Sequence, residues 1–148
     1  MGRASKLARR MADQVPYAGL PRHLGIEYGE EGPEVATARL EVGEHLLQPY
    51  GVVHGGVHSA LAETVCSWAT HLAVRDEGMV AMGQSNNATF IRPVTEGHIN
   101  ARATSRHRGR STWVWDCELT DDEGKLCALV RMTVAIRPAP APPDAGAA

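Results

Sequence analysis

The hydrophobic pattern of this chain changes period once, and that change restricts the fold more than any other feature. Residues 57–75 place Leu61, Val65, Trp68 and Leu72 at helical spacing, which predicts one core helix about five turns long. The flanking segments alternate instead. In "EVATARLEV", Ala36, Ala38, Leu40 and Val42 share one face and Thr37, Arg39 and Glu41 the other, the pattern of a half-buried strand. Three more alternating runs follow the helix: Ile99, Ala101 and Ala103; Trp113, Trp115, Cys117 and Leu119; and every second residue from Leu126 to Ile136. "TDDEGK" supplies hairpin chemistry between the last two. "MVAMGQSNNATFIRPV" reads as a further strand ended by Pro93, although its polar centre, Gln84 to Asn87, suits a strand poorly. One long helix, preceded by one strand and followed by four, is an α+β pattern in which the helix buries its stripe against the sheet. The expected architecture is a curved antiparallel sheet wrapped around a long central helix.

A chain of 148 residues has room for one substantial core and not for a second full domain. The expected division is a basic helical or flexible segment at 1–19, the folded domain at 20–137 and a flexible Pro/Ala-rich tail at 138–148. A net charge of −2 and a pI near 6.4 give no broad basic surface for nucleic acid or anionic lipid. Cys66, Cys117 and Cys127 are odd in number and lack C-x-x-C spacing, which points away from a disulfide framework or zinc site and toward a reducing compartment. The start "MGRASKLARRMADQV" is basic without an apolar core, and no run approaches the roughly 18 apolar residues of a membrane span. A cytoplasmic location is expected, with an organelle transit peptide the alternative reading of the Arg-rich start.

Candidate chemistry concentrates in "QPYGVVHGGVHSALAETVCS". Glu63 has Ser59 four residues before it and Ser67 four after, so the helix has a polar side as well as an apolar one. Such a side is either an ordinary solvent face or one wall of a site. At the expected helix entrance His54 precedes Gly55 and Gly56. A helix start leaves backbone N–H groups unpaired, and glycine admits a ligand close to them, which suits an oxyanion; the same pair also suits a plain strand-to-helix turn. His54 and His58 have the i, i+4 spacing of a metal pair but lack a third ligand, so no metal site is expected. His58 is assigned to local packing or the surface, and Cys66 to the core rather than to nucleophilic work with His71.

Taken in order and spacing, "QPYGVVHGG", "SALAET" with Ser67 beyond it, "IRPVTEG" and "HRGRSTWVW" resemble the hotdog-fold acyl-CoA thioesterases, from about Leu20 to Arg137. The resemblance is to the aryl-CoA branch with a glutamate on its central helix, which includes hydrolases of dihydroxynaphthoyl-CoA and hydroxybenzoyl-CoA and the proofreading thioesterase of enterobactin synthesis. It implies the hotdog fold and hydrolysis of an acyl-CoA with an aromatic or medium-sized acyl group. No separate cofactor is implied, because CoA is part of the substrate, and the assembly implied is a homodimer at minimum, extended to a homotetramer. Carried over by motif, Glu63 resembles the catalytic carboxylate, as nucleophile or as general base, and Gly55 the backbone donor to the thioester carbonyl. His54 and Gln48 resemble polar groups near the thioester, and Ser67 a partner of the hydrolytic water. Arg108, Gly109, Arg110 and Ser111 correspond to the CoA-binding strand end, with Arg92 a further candidate for the phosphates. Two departures bear on the acyl group: Phe90-Ile91 stands where dihydroxynaphthoyl-CoA hydrolases carry His-His, and Trp68 where methionine is common. A non-catalytic acyl-CoA sensor and a hydratase or dehydratase are the alternative functions of the same fold.

Helix geometry adds an independent constraint. Gly55 and Glu63 are eight residues apart, which along a helix is about 12 Å. One carbonyl cannot touch both within a chain, so a shared site requires Gly55 from one copy and Glu63 from another across a two-fold axis.

Overall fold

A computed structural model describes residues 19–140. The basic N-terminal segment, apart from Gly19, and the tail beyond Pro140 lie outside the described residues. A short helix α1 (Leu20–His23) precedes strands β1 (Glu27–Glu31) and β2 (Val35–Glu41). A 3-10 turn at Glu44–Leu46 then leads to the long helix α2 (Gly55–Val74), and a second one at Arg75–Glu77 follows it. Strands β3 (Met79–Phe90), β4 (His98–Arg108), β5 (Thr112–Thr120) and β6 (Leu126–Pro138) complete the fold. The six strands make one antiparallel sheet in the order β1-β2-β4-β5-β6-β3. Helix α2 carries the chain under that sheet, from β2 near one edge to β3 at the other.

Period-two alternation decides which face of each strand meets α2. Ala36, Ala38 and Leu40, Ile99, Ala101 and Ala103, Trp115, Cys117 and Leu119, and Val130, Met132 and Val134 are all buried, as the sequence predicts. The alanines of β2 and β4 keep that part of the sheet low, and Trp115, Leu119 and Leu61 fill the space beneath. Removing such surface from water stabilises by about 25 cal/mol per Å2. The "TDDEGK" turn also forms as expected: the Asp121 Oδ1 accepts from the Glu123 and Lys125 amides at 2.9 Å each, and Gly124 takes φ 77°.

Three details differ from the expectation. The buried stripe of α2 runs through Val57, Leu61, Ala62, Val65, Cys66 and Ala69, while Trp68 and Leu72 are only half buried. The Trp68 ring lies at the margin of this stripe, where its Nε1 donates to the Glu31 Oε1 at 3.2 Å and it packs 6.2 Å from Tyr28. The stripe also includes Thr70, whose Oγ1 donates to the Cys66 carbonyl at 2.8 Å and accepts from the Trp115 Nε1 at 2.9 Å, leaving neither buried polar group unpaired. Two strands rather than one precede α2: β1, "EYGEE", has no apolar alternation to reveal it and is held by its ladder to β2, the Glu27–Arg39 ion pair at 2.7 Å and the Thr37 hydroxyl, which accepts from the Glu30 amide at 2.8 Å. Finally, β3 contains a bulge. Gly83 lies opposite Val134 and Ser85 opposite Thr133, so Gln84 is an extra residue on its strand.

Candidate active site

The entrance to α2 is fixed before the helix begins. Pro49 occupies a turn in which the Gly51 amide donates to the Gln48 carbonyl at 2.9 Å, Gly51 takes φ 78°, and the Gln48 amide donates to the Val52 carbonyl at 2.8 Å. Val53 and His54 are then tied to the Val94 and Leu46 carbonyls at 2.8 and 2.9 Å. His54 is the N-cap: its Nδ1 accepts from the Gly56 amide at 2.9 Å. An Nδ1 that accepts leaves the ring proton on Nε2, so exposed His54 offers a donor to solvent. Gly55, at the first helical position, has one of the amides that a helix leaves without an intrahelical acceptor. A β-carbon there would lie 2.7 Å from the Phe90 Cε2. A larger residue here would have to displace the exposed Phe90 ring, so glycine suits the local packing as well as ligand approach.

Two turns further on, Glu63 is exposed, while Ser59 and Ser67 on either side of it are half buried. The Glu63 side chain does not project freely into solvent. The Asn86 Nδ2 donates to the Glu63 Oε2 at 3.2 Å and to the Ser59 carbonyl at 3.0 Å, and a β-carbon at Gly83 would come within 2.9 Å of the Glu63 Oε1. Gly83 and Asn86 are three residues apart, and in a regular strand they would face opposite ways. The extra residue Gln84 turns both toward α2, so the bulge makes the cradle for the carboxylate. The Ser67 Oγ is buried and has no hydrogen-bond partner among the described residues.

The remaining candidates divide between the two ends of the sheet. Arg92 follows Phe90 at the α2 entrance, its amide donating to the Cys127 carbonyl at 3.1 Å. Arg108, Gly109, Arg110 and Ser111 form the β4–β5 turn at the opposite end: the Ser111 carbonyl accepts from the Ile136 amide, and Ile136 pairs with Ala81. The Gly109 amide donates to the Thr112 carbonyl at 2.9 Å, and the Gly109 carbonyl accepts from the Trp113 Nε1 at 3.0 Å. Arg108 is partly engaged, with its Nη2 3.4 Å from the Glu34 Oε1 and its guanidinium 6.0 Å from the Trp113 ring centre. Within one chain, Gln48, His54, Gly55 and Arg92 share one end, while Glu63 and Ser67 lie further along α2 and the arginine turn lies at the other end.

His58 is a packing residue, 4% exposed and 6.0 Å from Phe90 between ring centres, and burial pushes its pKa down. Cys66 is fully buried, and burial followed by its contact with Cys117 raises its pKa well above the ordinary thiol value, so it is an inert core group. No cluster of three or more potential metal ligands occurs among the described residues. No helix among them is long and apolar enough to cross a membrane. The sequence reading missed Gly83, Asn86 and the Phe90 contact. Its one signal for them was the polar centre of an otherwise apolar strand, which marked a bulge and a carboxylate partner.

Residues 50–128 match the family model described as the thioesterase superfamily. A Haemophilus influenzae protein named as an esterase is 41% identical over 114 residues, which cover 77% of this chain and 82% of that protein. The solved structure of a Haemophilus influenzae thioesterase superposes with a TM-score of 0.76 at 33% identity, covering 99% of this chain and 96% of its own. A Staphylococcus aureus protein solved as a glutamate-to-alanine mutant superposes with a TM-score of 0.78 at 31% identity, covering 81% and 99%. That protein, named there a thioesterase, has also been solved as a glutamine-to-alanine mutant. The chain belongs to the thioesterase superfamily, and its long helix packed against a six-stranded antiparallel sheet is the hotdog fold of that family.

Proposed function

We propose that this protein is an acyl-CoA thioesterase acting on an aromatic or medium-sized acyl group, with Glu63 as its catalytic carboxylate and each active site shared by two copies of the chain. One observation carries the reading. The edge strand β3 holds the two halves of the site seven residues apart, Glu63 against Gly83 and Gly55 against Phe90. Because Gln84 is an extra residue, the midpoint falls at Asn87: a two-fold axis there pairs the free edges of two β3 strands antiparallel and sets Gly83 of each copy level with Phe90 of the other. Glu63 of one copy then meets Gly55 of its partner. The same axis sets Arg92 level with the partner's Ala81, the row that leads through Ile136 to the arginine turn. Arg92, Arg110 and Ser111 thereby fall on one side of the composite site, as a CoA phosphate chain requires. Arg108, held by Glu34, contributes less. In the Staphylococcus aureus relative the glutamine and glutamate replaced by alanine are fifteen residues apart, as are Gln48 and Glu63 here.

The chemistry follows from where charge develops. The Gly55 amide and the helix N-terminus polarise the thioester carbonyl and stabilise the oxyanion, typically by about 10²–10³ in rate. His54 Nε2–H and Gln48 are the polar groups beside it. As general base, Glu63 takes a proton from water while the water oxygen bonds to carbon; the C–S bond then breaks, and the proton passes to the departing CoA thiolate. As nucleophile, Glu63 bonds to the carbonyl carbon itself, expels the thiolate and forms a mixed anhydride that water hydrolyses. The unpartnered Ser67 hydroxyl suits a holder of that water. By the same resemblance, dimers pair further into a homotetramer.

The test combines thiol release with mixed dimers. Wild-type protein releases CoA from a panel of acyl thioesters, whereas a Glu63→Ala chain and a chain with a ruined entrance do not. The entrance chain carries Gly55→Pro together with Phe90→Ala, because a β-carbon at position 55 would otherwise meet the ring. A mixed dimer has one site with both lesions and one with neither, and recovers about half of the wild-type activity per dimer. Persistent inactivity of a mixed dimer whose circular dichroism is native would place the site within one chain.

A further inference from the structure

We propose that Phe90 determines the acyl specificity: its ring is the wall against which the acyl group lies, selecting acyl groups that present a flat apolar face beside the carbonyl, such as benzoyl, over those that present a hydroxyl there. The inference rests on the thioesterase reading above. Phe90 packs beside Gly55, the residue of the proposed oxyanion donor, since a β-carbon on Gly55 would lie 2.7 Å from its Cε2 and 2.8 Å from its Cζ. The ring is backed by His58, tilted 38° to it, which is 4% exposed and has a buried Nδ1 without a partner among the described residues. Because desolvation lowers the His58 pKa, that backing is an uncharged ring at neutral pH. Phe90 is therefore held from behind while 54% of it remains exposed.

Of the six exposed large hydrophobic residues among the described ones, three, Met82, Phe90 and Ile91, lie on β3 or directly after it, so the apolar exposure is concentrated rather than scattered. The two-fold proposed above sets Phe90 level with the partner's Gly83 and Ile91 level with the partner's Met82. The ring then stands between Gly55 and the partner's Glu63, where the substituent of a carbonyl bound to Gly55 and attacked from Glu63 must lie. Phe90 offers it no side-chain donor or acceptor, and Met82, opposite Ala135, lies on the other face of β3. An aromatic acyl group gains ring contact there, while a hydroxyl loses its water without replacement.

The experiment compares kcat/KM for benzoyl-CoA, 2-hydroxybenzoyl-CoA and butyryl-CoA in the wild type, Phe90→Leu and Phe90→His. Wild type is expected to favour benzoyl over 2-hydroxybenzoyl by about tenfold or more. Phe90→Leu, which keeps apolar bulk against Gly55, should lose roughly tenfold on benzoyl-CoA relative to butyryl-CoA. Phe90→His should compress the benzoyl to 2-hydroxybenzoyl ratio toward unity. Ratios unmoved in folded, active variants, or equal losses on all three thioesters, would reduce Phe90 to a support for the helix entrance. If Phe90→His does not fold, the Phe90→Leu ratio decides alone. A wild-type protein that releases CoA from no thioester would overturn the function as well, whereas active variants with unchanged ratios overturn this inference only.

Discussion

The two edges of the sheet are built on opposite principles. Strand β1 is five residues long and carries Glu27, Glu30 and Glu31, with Glu27 paired to Arg39. Strand β3 is twelve residues long and has no charged residue and no proline from Met79 to Phe90. Short, charged edges resist pairing with another sheet, and long neutral ones invite it. The edge next to Trp68 is thus closed, while the edge beside Glu63 and Gly55 is left open. On the reading above the open edge is where a second copy completes the site, so function and association share one strand.

The largest effect expected at the open edge is chemical. Glu63→Ala removes the carboxylate without touching the core, and should lower kcat by at least about 10²-fold while circular dichroism and association state stay native. Comparable turnover by the variant would take Glu63 out of the mechanism. Next comes the edge itself. Asn87→Lys puts a cation on β3 opposite Arg131 and at the proposed two-fold, where each copy meets the other's. Self-association should weaken by at least about tenfold, with activity falling in parallel. The matched change on β1, Glu30→Lys, should leave both unaltered in sedimentation and assay. Equal behaviour of the two edges would mean that β3 is not the interface.

A third pair of substitutions isolates positioning. Gly83→Ala brings a β-carbon against the Glu63 carboxylate, and Gly29→Ala on β1 brings one against the Thr37 hydroxyl. Gly83→Ala should reduce kcat roughly tenfold with little change in KM, because misplacing a reacting group costs rate before it costs binding. Gly29→Ala should alter thermal stability only. A kcat effect of similar size from both would show that any strain in the sheet reaches the site.

The smallest effect concerns pH. Burial depresses the His58 pKa, so between that value and about 6.5 the unfolded chain holds a proton that the folded chain does not. Stability from this group is complete above about pH 6.5 and declines as pH falls toward the folded value. His71 adds a slope of the same sign, from burial and then Arg75. His58→Leu should flatten most of the decline in Tm between pH 6.5 and 5; an unchanged slope would show that His58 is not the group responsible.

The sequence by itself determined the layers and the residue types of the candidate site. Period-two runs specify which side of β2, β4, β5 and β6 is buried, because each strand meets water on one face and α2 on the other. The order of Gln48, His54, Gly55, Glu63 and Ser67 along one loop and one helix was likewise legible, since local chemistry and helix rise are properties of neighbours in sequence. Only the tertiary structure decided what depends on partners distant in the chain. Strand β1 has no pattern of its own and exists because β2 pairs with it. Trp68 fits the helical stripe on paper but sits at its margin, because the buried face of α2 centres on Leu61, Ala62, Val65, Cys66 and Ala69. The bulge at Gln84 is a local mismatch of register between β3 and β6, and it alone turns Gly83 and Asn86 to the same carboxylate. No period within β3 encodes that mismatch, so the cradle of Glu63 appears only when the two strands are laid side by side.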